Sequence, residues 1–268
     1  MPVDAQGSPP KTVKDIPGLD QELECSVPLI HRSLEHPDYP GLWGSAFAVS
    51  FNNKVGFITA GHVMSGHAAQ GAGEGSGVSV VTGFSPQIQA EIDSFYSRIP
   101  SDPLYNDATD IAVLHPASSP TFVHGETRAF VLDEIAAPSA FKQDSLFAVR
   151  GYPRDDRRTG INYERNRIRF LAHSTFGTYV GPSPIAPGVH IINLDTREVG
   201  GLQGFSGSPV FRAVRYGATW KTGLAGMVIK GNEARLHFVD SEYILKFISS
   251  DIWWCPHHAP ENLPPEVD

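Results

Sequence analysis

The chain has 268 residues, 41% of them hydrophobic and 19% charged, with 26 glycines and 22 prolines. That composition excludes a fibre, a coiled coil and a disordered chain, and it fits a turn-rich globule of one or two small domains. A formal net charge of −8 argues against a general phosphate-backbone binder, so no nucleic-acid partner is expected. The two cysteines, Cys25 and Cys255, do not make a disulfide framework, and the sequence leaves open whether they pair. No signal-like segment occurs, nor any run of about 18 apolar residues, which points to a cytoplasmic protein with no membrane partner.

Residues 1–24 are rich in Pro, Gly and Asp without periodicity and read as an N-terminal tail or an arm tracking the surface. Short β-branched and aromatic runs follow, bounded by Gly, Pro, Asn and Ser: 45–51, 55–60, 78–84, 87–95 and 110–116. Asn52, Asn53 and Lys54 mark a hairpin turn between the first two. Residues 71–77, GAGEGSG, read as a loop tip. The pattern breaks over 117–142, the expected crossing between two halves, then resumes at 145–153, 167–176, 189–195, 208–214, 223–231 and 235–240. Many short strands with turn signals between them predict an all-β sandwich or barrel. The exception is the end. Apolar residues at 244, 245, 247, 248 and 252 predict a helix capped by Asp240 or Ser241. Residues 253–268 read as a polar tail, and the Cys255, His257 and His258 donors within it lack a second cluster, so no metal site is expected. Asp102 and Asp107 read as turn residues, and the run Arg154–Arg158 as solvated surface.

Three local motifs carry chemistry. Thr59-Ala60-Gly61-His62 delivers a histidine at the end of an apolar strand. Asp110 heads the apolar run Ile111–Leu114, and a carboxylate beside a buried run is costly unless it is paired. In Gly204-Phe205-Ser206-Gly207-Ser208-Pro209-Val210-Phe211, a serine flanked by glycines leads into a strand. A serine hydroxyl needs an adjacent base to act as a nucleophile, histidine can supply it, and a buried aspartate can hold the imidazole in place. Glycines beside the serine free backbone N–H groups for an oxyanion.

These segments, in the order His, Asp, Ser, resemble the signature segments of the chymotrypsin/trypsin-like serine peptidases, and SGSPVF is similar to the bacterial glutamyl-endopeptidase branch. The resemblance implies two antiparallel six-stranded β-barrels with a C-terminal helix. The first barrel, 25–125, would carry His62 and Asp110, and the second, 126–252, Ser206 and the helix. It implies Ser206 as nucleophile, His62 as general base, Asp110 as its orienting partner, and the N–H groups of Gly204 and Ser206 as an oxyanion hole, with no cofactor. Ile229, Lys230 and Gly231 would pair with an extended peptide substrate, and Gly200 would lie at the base of the specificity pocket. Lys230, Arg235 and His237 would make that pocket basic and favour an acidic residue before the scissile bond. Phe205 stands where zymogens of the family have an aspartate, so no activation by a newly cut N-terminus is expected.

An α/β-hydrolase is disfavoured, because a strand rather than a helix follows the serine and repeating β-α units are missing. A catalytically inactive or partner-activated scaffold that binds peptides is the second reading, and Phe205 is the residue that could distort the oxyanion loop. An activating or inhibitory protein partner would keep such an enzyme latent.

Overall fold

Several runs in this sequence are apolar at consecutive positions, as in Ala46–Val49 and Val210–Phe211. A strand with one wet face would alternate instead, so these strands must bury both faces. The computed structural model describes residues 15–32, 41–64, 77–85, 87–97, 107–132, 135–142, 145–154, 160–162, 167–194, 201–232 and 234–249, and it shows how both faces are covered.

The first barrel contains β1 (Ser26–His31), β2 (Gly41–Phe51), β3 (Lys54–Thr59), β4 (Val78–Phe84), β5 (Gln87–Ser97) and β6 (Ala112–Pro116). They pair in the order β1-β4-β5-β6-β3-β2, and β2 closes back on β1. A short β7 (Phe130–Val131) adds to β2 in parallel. The second half contains β8 (Leu146–Gly151), β9 (Gly160–Asn162), β10 (Arg167–Arg169), β11 (His173–Pro182), β12 (Val189–Leu194), β13 (Pro209–Tyr216), β14 (Thr219–Asn232) and β15 (Arg235–Asp240). Six of these close a second antiparallel barrel, β11-β12-β15-β14-β13-β8, while β9 and β10 form a separate ribbon. Two closed six-stranded antiparallel barrels with a C-terminal helix are the expected fold.

Residue parity sorts the core. Ala46, Ala48, Phe57 and Leu114 fill the first barrel, and Phe147, Val149, Val228 and Phe238 fill the second. Their neighbours Phe47, Val49, Ile58, Phe211, Met227 and Val239 point the other way and form one cluster in the seam between barrels. β2, β3, β13, β14 and β15 therefore bury one face in a barrel and the other in the seam. The ends of the seam are where loops from both barrels meet.

Some details differ from the sequence expectation. The β2–β3 turn is the pair Asn52-Asn53, both at positive φ (50° and 60°), and Lys54 already pairs with Phe51 in the ladder. A two-residue turn with both φ positive matches the twist of a hairpin, and asparagine tolerates that conformation. The expected N-terminal tail is anchored in its described part. Residues Leu19–Leu23 form helix α1, and Ile16, Leu19 and Leu23 are buried in the seam cluster. β1 escaped the sequence reading because its one proline, Pro28, signals against a strand, yet Pro28 sits opposite Ser45 in the ladder. Run 167–176 divides into β10 and β11. Backbone bonds tie 117–132 to the first barrel, the last from Leu132 N–H to Ser50 O, so that barrel's bonding extends past the expected division at 125. The terminal helix α2 spans Ser241–Ser249, and Asp240 caps it by accepting from the Tyr243 N–H at 3.0 Å. Cys25 is buried in the seam, and burial pushes its thiol well above the usual range. Residues 1–14, 71–76, 155–158 and 250–268, with Cys255 and the expected polar tail, lie outside the described residues, and so does Asp102. Among the described residues, no helix is long and apolar enough to cross a membrane.

His115 on β6 is buried, and loss of hydration pushes its imidazole below the ordinary 6.5, against a smaller opposing pull from Asp93. A base held neutral in the fold binds fewer protons than it does in the unfolded chain, so its contribution is complete above about 6.5 and is lost as pH falls below that. Urea unfolding at about pH 7 and about pH 5 should show lower stability at the acid value, and His115→Phe should flatten the difference.

Candidate active site

The histidine motif works through a close approach. Thr59 ends β3, and residues 61–64 start a helical turn. A Cβ on Gly61 would lie 3.0 Å from Asp110 Oδ1 and 3.3 Å from the Ile111 nitrogen. Glycine thus lets the backbone press against Asp110. The His62 N–H donates to Asp110 Oδ1 at 2.7 Å, and His62 Nδ1 lies 2.7 Å from Oδ2. Both carboxylate oxygens are engaged, as a carboxylate with only 6% of its side chain exposed requires. An ionised carboxylate only accepts, so Nδ1 carries the proton and Nε2 presents its lone pair. That lone pair faces Ser206 Oγ at 3.1 Å. His62 comes from the end of β3, Asp110 from the turn before β6, and Ser206 from the loop before β13. Asp110, His62 and Ser206 therefore form one hydrogen-bonded chain across the seam.

The loop 204–208 is fixed by its own hydrogen-bond accounting. The N–H groups of Phe205, Gly207 and Ser208 donate to Leu202 O, Val228 O and Phe205 O. The carbonyls of Gly204 and Ser206 accept from Ser45 Oγ at 2.7 Å and Ser45 N at 3.0 Å. The N–H groups of Gly204 and Ser206 have no acceptor among the described residues. The Gln203 carbonyl accepts from the Arg154 N–H at 2.7 Å. A trans peptide directs its N–H opposite to its C=O, so the Gly204 N–H faces away from Arg154 and towards the cleft it lines. Gly204 and Gly207 sit at φ 92° and 87°, and a Cβ at either would overlap backbone, the Tyr152 carbonyl for one and the Ser45 carbonyl for the other. Phe205 does not distort this loop. Its ring is fully buried in the core of the second barrel and anchors the loop by apolar packing.

Two clefts open on Ser206. The first, about 410 Å³, is lined by Ile229, Lys230 and Gly231 of β14, by Leu202, and by Asp107 beside the triad. The second, about 530 Å³, is lined by Trp43, Val63 and Arg154. Both share His62, Gln203, Gly204 and Ser206.

The basic pocket expected from Lys230, Arg235 and His237 does not form. Lys230 Nζ lies 2.5 Å from Asp107 Oδ2, which also moves Asp107 from a turn residue to a cleft residue. Leu236 and Phe238 face the barrel interior, so Arg235 and His237 point to the other face of β15. His237 Nδ1 pairs instead with Ser183 Oγ at 3.0 Å. Gly200 lies outside the described residues. Trp43 and Arg154 were missed because only tertiary contact brings them to the site, and Val63, Leu202 and Gln203, although next to motif residues, have side chains that signal no chemistry. Among the described residues, no group of His, Cys, Asp and Glu is arranged to hold a metal.

No protein-family profile matches the sequence, and no curated protein does. Among solved structures, the chain is similar to the scabies mite inactivated protease paralogue S-D1. That match has a TM-score of 0.56 and 14% identity, covering 87% of this chain and 94% of that one. It is also similar to the scabies mite inactivated protease paralogue S-I1, with a TM-score of 0.55 and 16% identity over 88% and 98% of the two chains. At such identities the likeness is one of fold: the two barrels have the chymotrypsin-like arrangement.

Ser45→Ala removes the acceptor of the Tyr152 N–H and the donor to Gly204 O, and should cost about 1–3 kcal/mol in urea unfolding. Gly207→Ala places a side chain at positive φ against the Ser45 carbonyl and should cost about 3 kcal/mol or more by the same measurement.

Proposed function

We propose that the chain is a serine endopeptidase that cleaves peptide bonds through an acyl-enzyme on Ser206. The observation that carries this reading is the continuous chain from Asp110 through His62 to Ser206, at 2.7 Å and 3.1 Å, beside two N–H groups with no other acceptor among the described residues.

In this mechanism Ser206 Oγ attacks the scissile carbonyl carbon as His62 Nε2 takes its proton. Asp110 holds the ring and stabilises the imidazolium without becoming protonated. The carbonyl oxygen, now negative, takes the N–H groups of Gly204 and Ser206. Collapse breaks the C–N bond, and His62 returns its proton to the leaving nitrogen. Water, deprotonated by the same imidazole, then releases the acyl group and regenerates Ser206.

The acyl half of the substrate lies along the edge of β14 at Ile229–Gly231, adding a strand. The side chain before the scissile bond enters the first cleft. A Cβ on Gly231 would overlap Leu236 Cδ2 and lie 3.2 Å from Leu202 Cδ1, so these leucines give the cleft an apolar wall there. The cation is already paired, so an apolar residue suits this position better than an acidic one. The cleft thus lends no support to the glutamyl-endopeptidase branch suggested by SGSPVF.

A fluorophosphonate probe should label the wild-type chain on Ser206 and leave Ser206→Ala unlabelled. Absence of labelling would instead favour the peptide-binding scaffold. Asp110→Asn should lower kcat on a small ester or peptide by about 10⁴-fold, because the wrong tautomer then faces Ser206.

A further inference from the structure

The two clefts that meet at Ser206 are electrically unlike. The first holds Lys230 and two carboxylates, Asp107 and Asp110. Lys230 is paired with Asp107, and Asp110 keeps its charge while hydrogen-bonded to His62. The second contains Arg154 and, among the described residues, no carboxylate, with the imidazole of His62 as the other titratable group in its described lining. Arg154 is exposed. Its backbone N–H is committed to Gln203 O, which fixes where the residue stands, while its guanidinium has no ion pair among the described residues. The side chain that completes this wall is Trp43, half-buried on β2.

The mechanism above assigns the clefts to the two halves of a substrate, and the inference rests on that reading. The first cleft carries the β14 edge and so takes the acyl half. The second has no β14 residue. It extends over Val63, next to the imidazole that protonates the leaving nitrogen, and so takes the leaving half. We propose that Arg154 recognises a carboxylate carried by the leaving half of the peptide, within the first two residues beyond the scissile bond, with the Trp43 indole packing against the aliphatic part that bears it. A guanidinium presents two parallel N–H donors that match a carboxylate, and it keeps its charge at every working pH. The net charge of −8 repels acidic peptides at long range, so selection for a carboxylate depends on this local cation. The carboxylate comes from an Asp or Glu side chain or from a free C-terminus.

The test uses the full chain with Ser206→Ala and calorimetric titration of three peptides with the same neutral acyl half. One bears Glu two residues beyond the scissile bond and an amidated end. The second has a neutral leaving half and a free C-terminus. The third is neutral and amidated. The first or the second should bind about five-fold tighter than the third, the scale of a partly exposed charge-assisted pair. Which of them wins identifies the source of the carboxylate. Adding Arg154→Gln should bring the ratio to about one, and Arg154→Glu should turn the preference towards a lysine at the same position. Equal binding of all three, binding of none, or a preference that survives Arg154→Gln overturns the proposal. Fluorophosphonate labelling of the wild-type chain separates the two ideas. Labelling without a carboxylate preference keeps the hydrolase and removes Arg154's role. A preference without labelling keeps Arg154 and removes turnover.

Discussion

The arrangement turns on one buried serine. Ser45, on β2 of the first barrel, donates its N–H to Ser206 O and its hydroxyl to Gly204 O, accepts from the Tyr152 N–H, and offers its own carbonyl to Thr59 Oγ1. Thr59 is the last strand residue before the turn that presents His62, and Tyr152 follows β8 of the second barrel. One residue thus ties the serine loop, the histidine turn and both barrels together. Each bond on its own is worth about 1 kcal/mol. Their effect is larger than that sum suggests, because together they fix the loop that carries Ser206 against the strand that leads to His62.

Burial and pairing divide the electrostatic work. Asp110 can be buried because both its oxygens are bonded within one residue, to the backbone and the ring of His62. A charge satisfied in this way orients the imidazole instead of seeking solvent. In the first cleft Lys230 is paired with Asp107, whereas in the second Arg154 has no ion pair among the described residues. The two clefts therefore differ in local charge in a way that the overall charge of the chain does not reveal.

Much of this was legible in sequence because it is local. The triad positions stand in short motifs whose neighbours explain them: Gly61 for the approach to Asp110, Gly204 and Gly207 for positive φ. The strands were legible as apolar runs, but β1 was hidden by Pro28, and β7 is too short to show a period. Arg235 and His237 illustrate a different loss. Placing these two in the pocket ignores the alternation of side chains, because Leu236 and Phe238 already claim the inner face. The ladder opposite also shifts register between Val228 and Lys230, a bulge that no pattern in the sequence announces. Arg154 and Trp43 were illegible for a plainer reason: they lie 52 and 163 residues from Ser206, and only closure of the two barrels brings them to its cleft.

The stretch between the barrels has a mechanical consequence. Phe130 and Val131 pair with Val49 and Ser50 of the first barrel. A few residues later Ile135 bridges to Leu224 of the second, and the Ala136 N–H donates to the Leu224 carbonyl. Phe130 also meets Phe211 edge-on across the seam, with ring centroids 5.2 Å apart. The described residues on either side of positions 133 and 134 are thus tied into different barrels, Phe130 and Val131 into the first and Ile135 and Ala136 into the second. Parting the barrels at this seam would break the Phe130–Phe211 contact and open the apolar cluster that both barrels share.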